Sequence, residues 1–127
     1  MSAGEIKTLL PDDVSPLRVF AASPPTFEEV EKAVCDHYGT PPDYYRAHGD
    51  RSATLVKNII AFMLRRHGRM SERAISQHLG YRAKSSVMFG VLKITGRIEV
   101  EELLRDDIDI IRRRVAHAIL ERSAPCQ

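Results

Sequence analysis

Between Ser71 and Arg97 the chain reads SERAISQHLGYRAKSSVMFGVLKITGR, and the apolar spacing there leaves little room for anything but two helices joined by a tight turn. Ser71 is a good N-cap, because its hydroxyl can accept a bond from a free amide of the first turn. Ala74, Ile75 and Leu79 follow at helical spacing, with Ile75 and Leu79 one turn apart. Gly80 supplies the backbone freedom that ends a helix. A second apolar set, Val87, Val91, Ile94 and Ile98, recurs at intervals of 4, 3 and 4 residues. Between the sets stands Tyr81-Arg82-Ala83-Lys84-Ser85-Ser86, basic and rich in hydroxyls. The outline is that of a helix-turn-helix, in which the first residues of the second helix meet base edges. An ordinary helical hairpin would read the same way.

The rest of the chain is helical by pattern too. Thr26-Phe27-Glu28-Glu29 has the form of a capping box, and Phe27, Val30, Val34 and Tyr38 make a buried stripe that Gly39 closes. Pro41 to Arg46 reads as a single turn of helix with proline near its start. From about Ser52 to His67 a longer helix is apolar over most of its surface, with Leu55, Ile59, Ile60, Phe62, Met63 and Leu64, and is expected at the centre of the core. Gly96 is expected to end the second helix of the Ser71–Arg97 pair. Phe89, within that helix, is expected to be partly buried. A last helix spans about Val100 to Leu120 on the stripe Leu103, Leu104, Ile108, Ile111, Val115 and Ile119. No strand pattern and no internal repeat is visible. The fold class is therefore all-α, a compact helical bundle within one domain over residues 26–120. Residues 1–25, with Pro11, Pro16, Pro24 and Pro25, read as a flexible or loosely docked arm. Leu9, Leu10, Leu17, Val19 and Phe20 are apolar enough for part of it to pack. Residues 121–127 read as a tail.

Charge is segregated along the chain. The net charge of +2 conceals a middle segment, 46–97, in which eleven Lys and Arg face only Asp50 and Glu72, while the remainder is net acidic. Such segregation points to a polyanionic partner; the plain alternative is a solvated basic surface.

Several chemistries find no support. No Gly-rich phosphate loop carrying a Lys is present. Cys35 and His37 are the nearest thing to a metal pair, but two residues apart on a helix they point in different directions. The acidic pairs Asp12-Asp13 and Asp106-Asp107 suit solubility and capping better than acid–base catalysis. A non-enzyme with no metal, no cofactor and no small-molecule substrate is expected. No apolar run approaches the ~20 residues that span a bilayer, and the N-terminal stretch lacks a signal-peptide core. A protein of the cytoplasm, with its two cysteines reduced and no membrane partner, is the expectation.

From Thr26 to about Ile119 the residues resemble the C-terminal DNA-binding domain of the bacterial chromosomal replication initiator DnaA. Val34-Cys35-Asp36-His37-Tyr38-Gly39 resembles the end of that family's first helix. Lys57-Asn58-Ile59-Ile60-Ala61-Phe62-Met63-Leu64-Arg65 resembles its Arg-Gln-apolar run. Ser71 to Gly80 resembles the first helix of its helix-turn-helix, and Tyr81-Arg82-Ala83-Lys84-Ser85-Ser86-Val87 falls on its signature Gly-Arg-Asp-His-Thr-Thr-Val. Arg82 and Val87 agree with the signature; Ser85 and Ser86 keep the hydroxyls of two Thr. Ala83 and Lys84 replace the Asp-His pair that helps to read bases in the family. Gly49 and Asp50 thin the basic loop that Arg51 retains, and Arg73 stands where Pro is common. The resemblance implies a fold like that of the Trp repressor. It also implies a duplex-DNA-binding, sequence-specific regulator of replication or transcription, a stand-alone relative without ATPase activity, associated with the nucleoid.

On this reading Lys84, Ser85 and Ser86 reach base edges, and Arg46, Arg51, Lys57, Arg82 and Lys93 hold phosphates. The alternative is a protein–protein interaction module that no longer binds DNA specifically and docks a partner through the arm or the last helix. Loss of the Asp-His pair favours it; retention of the basic centre disfavours it. RNA binding is a third reading, since a basic helical surface does not by itself choose between the polymers.

Overall fold

The structure is a computed structural model that describes residues 15–81 and 84–123, without the side chains of Lys84, Ser85 and Ser123. It holds seven helices and no strand among those residues: α1 (Pro16–Ala22), α2 (Phe27–Tyr38), α3 (Pro42–Ala47), α4 (Arg51–Arg66), α5 (Glu72–Leu79), α6 (Lys84–Val100) and α7 (Glu102–Ser123). The all-α bundle expected from the sequence is the one observed. None of these helices is long and apolar enough to cross a membrane.

The core forms around α4. Asp50 caps it, its carboxylate accepting from the Ala53 amide at 2.9 Å. Toward its C-terminal end six consecutive residues, Ile59 to Leu64, are fully buried. A helix buried all round needs neighbours on every side, and α2, α3, α5 and α6 all pack on α4. The capping box of α2 is present as expected: Thr26 Oγ1 accepts from the Glu29 amide at 3.2 Å, and Glu29 Oε1 accepts from the Thr26 amide at 2.9 Å. Its inner face, Phe27, Val30, Ala33 and Val34, is buried against α4 and α7.

The last helix closes the bundle by packing on α1, α2 and α6. Asp107 on α7 accepts from Tyr38 Oη at 3.2 Å and lies 2.9 Å from His37 Nε2. This carboxylate thus joins α7 to α2 and is more than a solubilising or capping charge. Leu104, Ile108, Ile111, Val115 and Ile119 are buried as the stripe predicts, but Leu103 is 81% exposed. The reason is the position of the break between helices. Gly96 does not end α6, which runs on to Val100. The Arg105 guanidinium reaches back to the Ile98 carbonyl, Nε to O 3.0 Å, and so satisfies the end of α6. Leu103 falls in the first turn of α7, outside the stripe that faces the core.

Residues 16–22, inside the region read as an arm, form α1. Val19 and Phe20 are buried, and the Phe20 ring lies 4.8 Å from the His67 ring. Arg69, with its backbone in the left-handed region at φ 55°, donates from Nη2 to the Ala21 carbonyl at 3.2 Å. Close by, α7 continues through Arg122, which binds Glu29 Oε2 at 2.7 Å and the Pro24 carbonyl at 3.1 Å. The segment between α1 and α2 is therefore held by α7.

Two predictions follow from the packing around His67. Phe20→Ala should lower stability by about 3 kcal/mol, the low end for a buried Phe because α1 is peripheral; a denaturant titration measures it. His67 is buried and accepts a bond from Arg112 Nε at 3.1 Å. Burial first, then the cations Arg112 and Arg66, push its pKa from 6.5 down to about 4. The unfolded chain thus takes up a proton at a pH where the folded chain does not. This residue's share of stability is whole above about pH 6.5 and is lost as the pH falls toward 4. His67→Gln keeps an acceptor for Arg112 without the titration, so its melting midpoint should drop less than the native one over that range.

Candidate nucleic-acid interface

Helix α5 and the residue that follows its end are fixed by local bonds. Ser71 Oγ accepts from the Ala74 amide at 3.1 Å and starts α5. Ile75 and Leu79 are buried, and Gly80 takes the left-handed conformation at φ 73° that lets the chain leave the helix. Buried Ser76 then ties down the next residue: its carbonyl accepts from the Tyr81 amide at 3.0 Å, and its hydroxyl donates to the Tyr81 carbonyl at 3.2 Å. Tyr81 is thereby set against the body of the domain. Burial pushes its phenol up to about 12, so it stays neutral.

Helix α6 presses one face onto α4. Val87, Gly90 and Ile94, spaced 3 and 4 residues apart, are buried there. Gly90 is needed for the approach: a Cβ built on it would stand 2.6 Å from Asn58 Oδ1 and 3.2 Å from Asn58 Cγ. With this face inward, Phe89 and Leu92 are turned outward on the opposite side, and Ser86 and Lys93 stand at the flank beside α4.

Two adjoining hollows lie along the seam of α4 and α6. One is lined by Thr54, Lys57, Asn58, Tyr81, Ser86, Phe89, Gly90 and Lys93. The other shares Thr54, Asn58 and Lys93 and adds Gly49, Arg51, Leu55 and Arg97. Four residues expected at the interface, Arg51, Lys57, Ser86 and Lys93, are thus brought together from two helices. The Lys57 ammonium stands over the Tyr81 ring at 5.1 Å from its centroid, which steadies a flexible cation. Arg97 is paired with Glu101 through two bonds of 2.6 and 2.9 Å, so its charge at the rim is partly cancelled.

Arg46 stands apart from this set. It is bound to Glu31, lies 3.8 Å from Asp43 and rests against the Tyr45 ring at 5.6 Å. Tyr45 itself donates to the same Glu31 carboxylate. The Arg46 guanidinium is used in joining α3 to α2 and does not line the hollows. Arg82 lies outside the described residues. Lys84 is the first residue of α6 and Ser85 the second, their side chains also lying outside the description. Phe89 differs from expectation: it is 73% exposed, because its position on α6 is opposite the Val87–Gly90–Ile94 face.

Sequence reading missed Thr54 and Asn58 as lining residues. The signal was the spacing of Arg51, Thr54, Leu55 and Asn58, which is one face of a helix. It was hidden by the apolar residues that crowd the remainder of α4. A second basic surface was also passed over: Arg65, Arg69 and Arg73, four residues apart, meet beside Ser71 and Glu72 at the start of α5.

Proteins similar to the chain are chromosomal replication initiator proteins DnaA. That of Herpetosiphon aurantiacus is 31% identical over 91 residues, which is 71% of this chain and 19% of the initiator. Those of Chloroflexus aggregans and Chloroflexus aurantiacus are 29% identical over 89 residues, 69% of this chain and 19% of each initiator. The chain spans about a fifth of the length of the curated relatives it matches. The similarity extends over most of the chain, as that of a relative of one part of these initiators. No family model matches the chain, and no solved structure does.

The seating of α6 can be tested through Gly90. Gly90→Val should destabilise the fold by about 1–3 kcal/mol, since the added atoms meet the buried Asn58 side chain, and it or α6 must shift. The shift of a urea midpoint reads this out.

Proposed function

We propose that the chain is a duplex-DNA-binding helix-turn-helix module and not a catalyst. The carrying observation is the meeting of Arg51, Lys57 and Lys93, from α4 and α6, beside the outward face of α6. Cations from two elements placed alongside one helix suit a duplex whose phosphates flank the groove that the helix enters. The similarity to replication initiators supports DNA as the polymer and a role in replication or in transcriptional regulation. The proposed action is on the nucleoid, within the cytoplasm.

In this reading the first turn of α6 lies in the major groove. Lys84 can donate to guanine O6 and N7, and the Ser85 and Ser86 hydroxyls can pair with several bases. Arg51, Lys57, Arg82 and Lys93 hold phosphates, which position the helix without specifying sequence. Arg65, Arg69 and Arg73 stand near the start of α5, where the first helix of such a motif crosses the backbone. Replacement of the family's Asp-His pair by Ala83 and Lys84 argues for a different preferred sequence from that of the initiators.

A second reading, a docking module for another protein, is favoured by one feature. Val100 and Leu103, at the junction of α6 and α7, are 80% and 81% exposed. It gives no account of the cations gathered at the seam.

Electrophoretic shifts with duplex DNA, single-stranded DNA and RNA separate the readings. About five phosphate contacts should make log K fall against log salt with a slope of roughly −4 to −5 on duplex. Arg82→Ala and Lys57→Ala should each weaken binding to every duplex and make the slope shallower by about one unit. Lys84→Ala should cost roughly 1–3 kcal/mol on the preferred site and less on random DNA. No binding at low salt, or a slope near zero, rejects the proposal; tighter binding to RNA than to duplex moves it to the other polymer.

A further inference from the structure

We infer that the outward face of α6 pairs with the same face of a second copy of the chain, the two helices running antiparallel and crossing at Gly96. The inference does not rest on the duplex-DNA reading. Six large apolar side chains are exposed among the described residues, and four of them, Phe89, Leu92, Val100 and Leu103, fall close together in the chain. At about 100° per residue, Phe89, Leu92 and Val100 lie within about 40° of Gly96 around the helix, opposite the buried Val87 and Ile94. Leu103 follows them in the first turn of α7.

Glycine is disfavoured within a helix, and the two glycines of α6 differ in what accounts for them. At Gly90 a Cβ would meet Asn58, whereas at Gly96 it would meet nothing within 4 Å. The packing of the chain on itself therefore gives no use for bare backbone in the middle of this apolar face. A second helix laid across it does, because helices that meet at glycine can approach to about 8 Å, the short end of the usual range.

The order of residues about Gly96 identifies the occupant. A two-fold interface needs a surface that complements itself, residue i meeting j while j meets i. Leu92 and Val100 stand four residues to either side of Gly96, Phe89 and Leu103 seven, and Lys93 and Glu99 three. Antiparallel pairing at Gly96 therefore sets Leu92 against Val100 of the second copy and Phe89 level with its Leu103. It also brings Lys93 level with Glu99 of the second copy, across backbone that carries no side chain to separate them. Apolar groups thus face apolar groups, and each cation faces an anion. A partner of another sequence has no reason to follow this order, while a second copy follows it by necessity. The first turn of α6 lies outside the paired stretch, so the helix can pair and still present Lys84 to Ser86. Four apolar side chains from each copy make a small interface, and the dissociation constant is expected at roughly 10–100 μM.

Sedimentation equilibrium of the full chain, from about 1 μM to about 1 mM, tests the pairing and should show monomer passing into dimer. Leu92→Glu and Gly96→Leu should each weaken the dimer at least about tenfold, the first by burying a charge and the second by holding the backbones apart. Their melting midpoints in dilute solution should not fall below the native one, since both positions lie outside the core. Lys93→Glu and Glu99→Lys should each weaken self-association about fivefold. An equal mixture of those two variants should restore the native affinity, because each supplies the charge that the other needs. A native chain that stays monomeric at every concentration overturns the inference, whatever else covers the face. A dimer that tolerates both Leu92→Glu and Gly96→Leu overturns it by placing the contact elsewhere. Charge reversals that do not complement each other on mixing overturn the antiparallel register. None of these outcomes bears on duplex binding, which the electrophoretic shifts measure separately.

Discussion

The burial of the second half of α4 on every side is the constraint from which the rest of the domain follows. Six successive apolar residues, Ile59 to Leu64, leave that part of the helix with no face for solvent. Charged groups cannot share this stretch without a large desolvation cost, so the cations of α4 are confined to its ends. Arg51 and Lys57 lie toward the start, and Arg65 and Arg66 at the finish. The neighbouring helices must cover what remains, and their own charges are pushed to the margins in turn. The basic surfaces are thus a by-product of where the core sits, and the seam of α4 and α6 is where two such margins coincide.

Closeness at that seam depends on a small residue against a polar one. Gly90 lets the backbone of α6 come down on Asn58, and the flanking residues Val87 and Ile94 fill the space on either side. Tyr81, where the chain leaves α5, is bound to Ser76, and α6 is held along its length by its contact with α4. An element placed in that way presents its outward residues in a fixed direction without a ligand to order them, which lowers the ordering cost of binding.

The helices were legible because their signals are local. Thr26 with Glu29, Ser71 with Gly80, and the apolar spacings of α2, α4 and α6 act within a few residues, and the fold realises them. What the sequence hid was decided by contacts far along the chain. Gly96 looked like a stop, yet α6 passes through it, since Arg105 satisfies the helix end four residues later at Val100. Leu103 looked like core because it matched a period, but the break at Glu101 sets it outside. Arg46 looked like a free cation; Glu31, fifteen residues earlier, holds it. Phe20 lay in a proline-rich stretch without a period, and its partner His67 is 47 residues away. For the interface, the cations of α4 and α6 could be named from charge alone. Their meeting, and the exposure of Phe89, required the angle at which the two helices cross.

The division of α6 into two faces has a consequence for how such a domain can change over evolutionary time. Residues that hold the helix in place and residues that could meet a ligand alternate along it without sharing a position. Ser86, Phe89 and Lys93 can therefore be exchanged for other side chains while Val87, Gly90 and Ile94 keep the helix seated. A lineage could drift from one recognised surface to another through a handful of neutral or nearly neutral steps, without passing through an unfolded intermediate. The same separation makes α6 a natural cassette for laboratory diversification, with its outward positions randomised and its inner face left as it is.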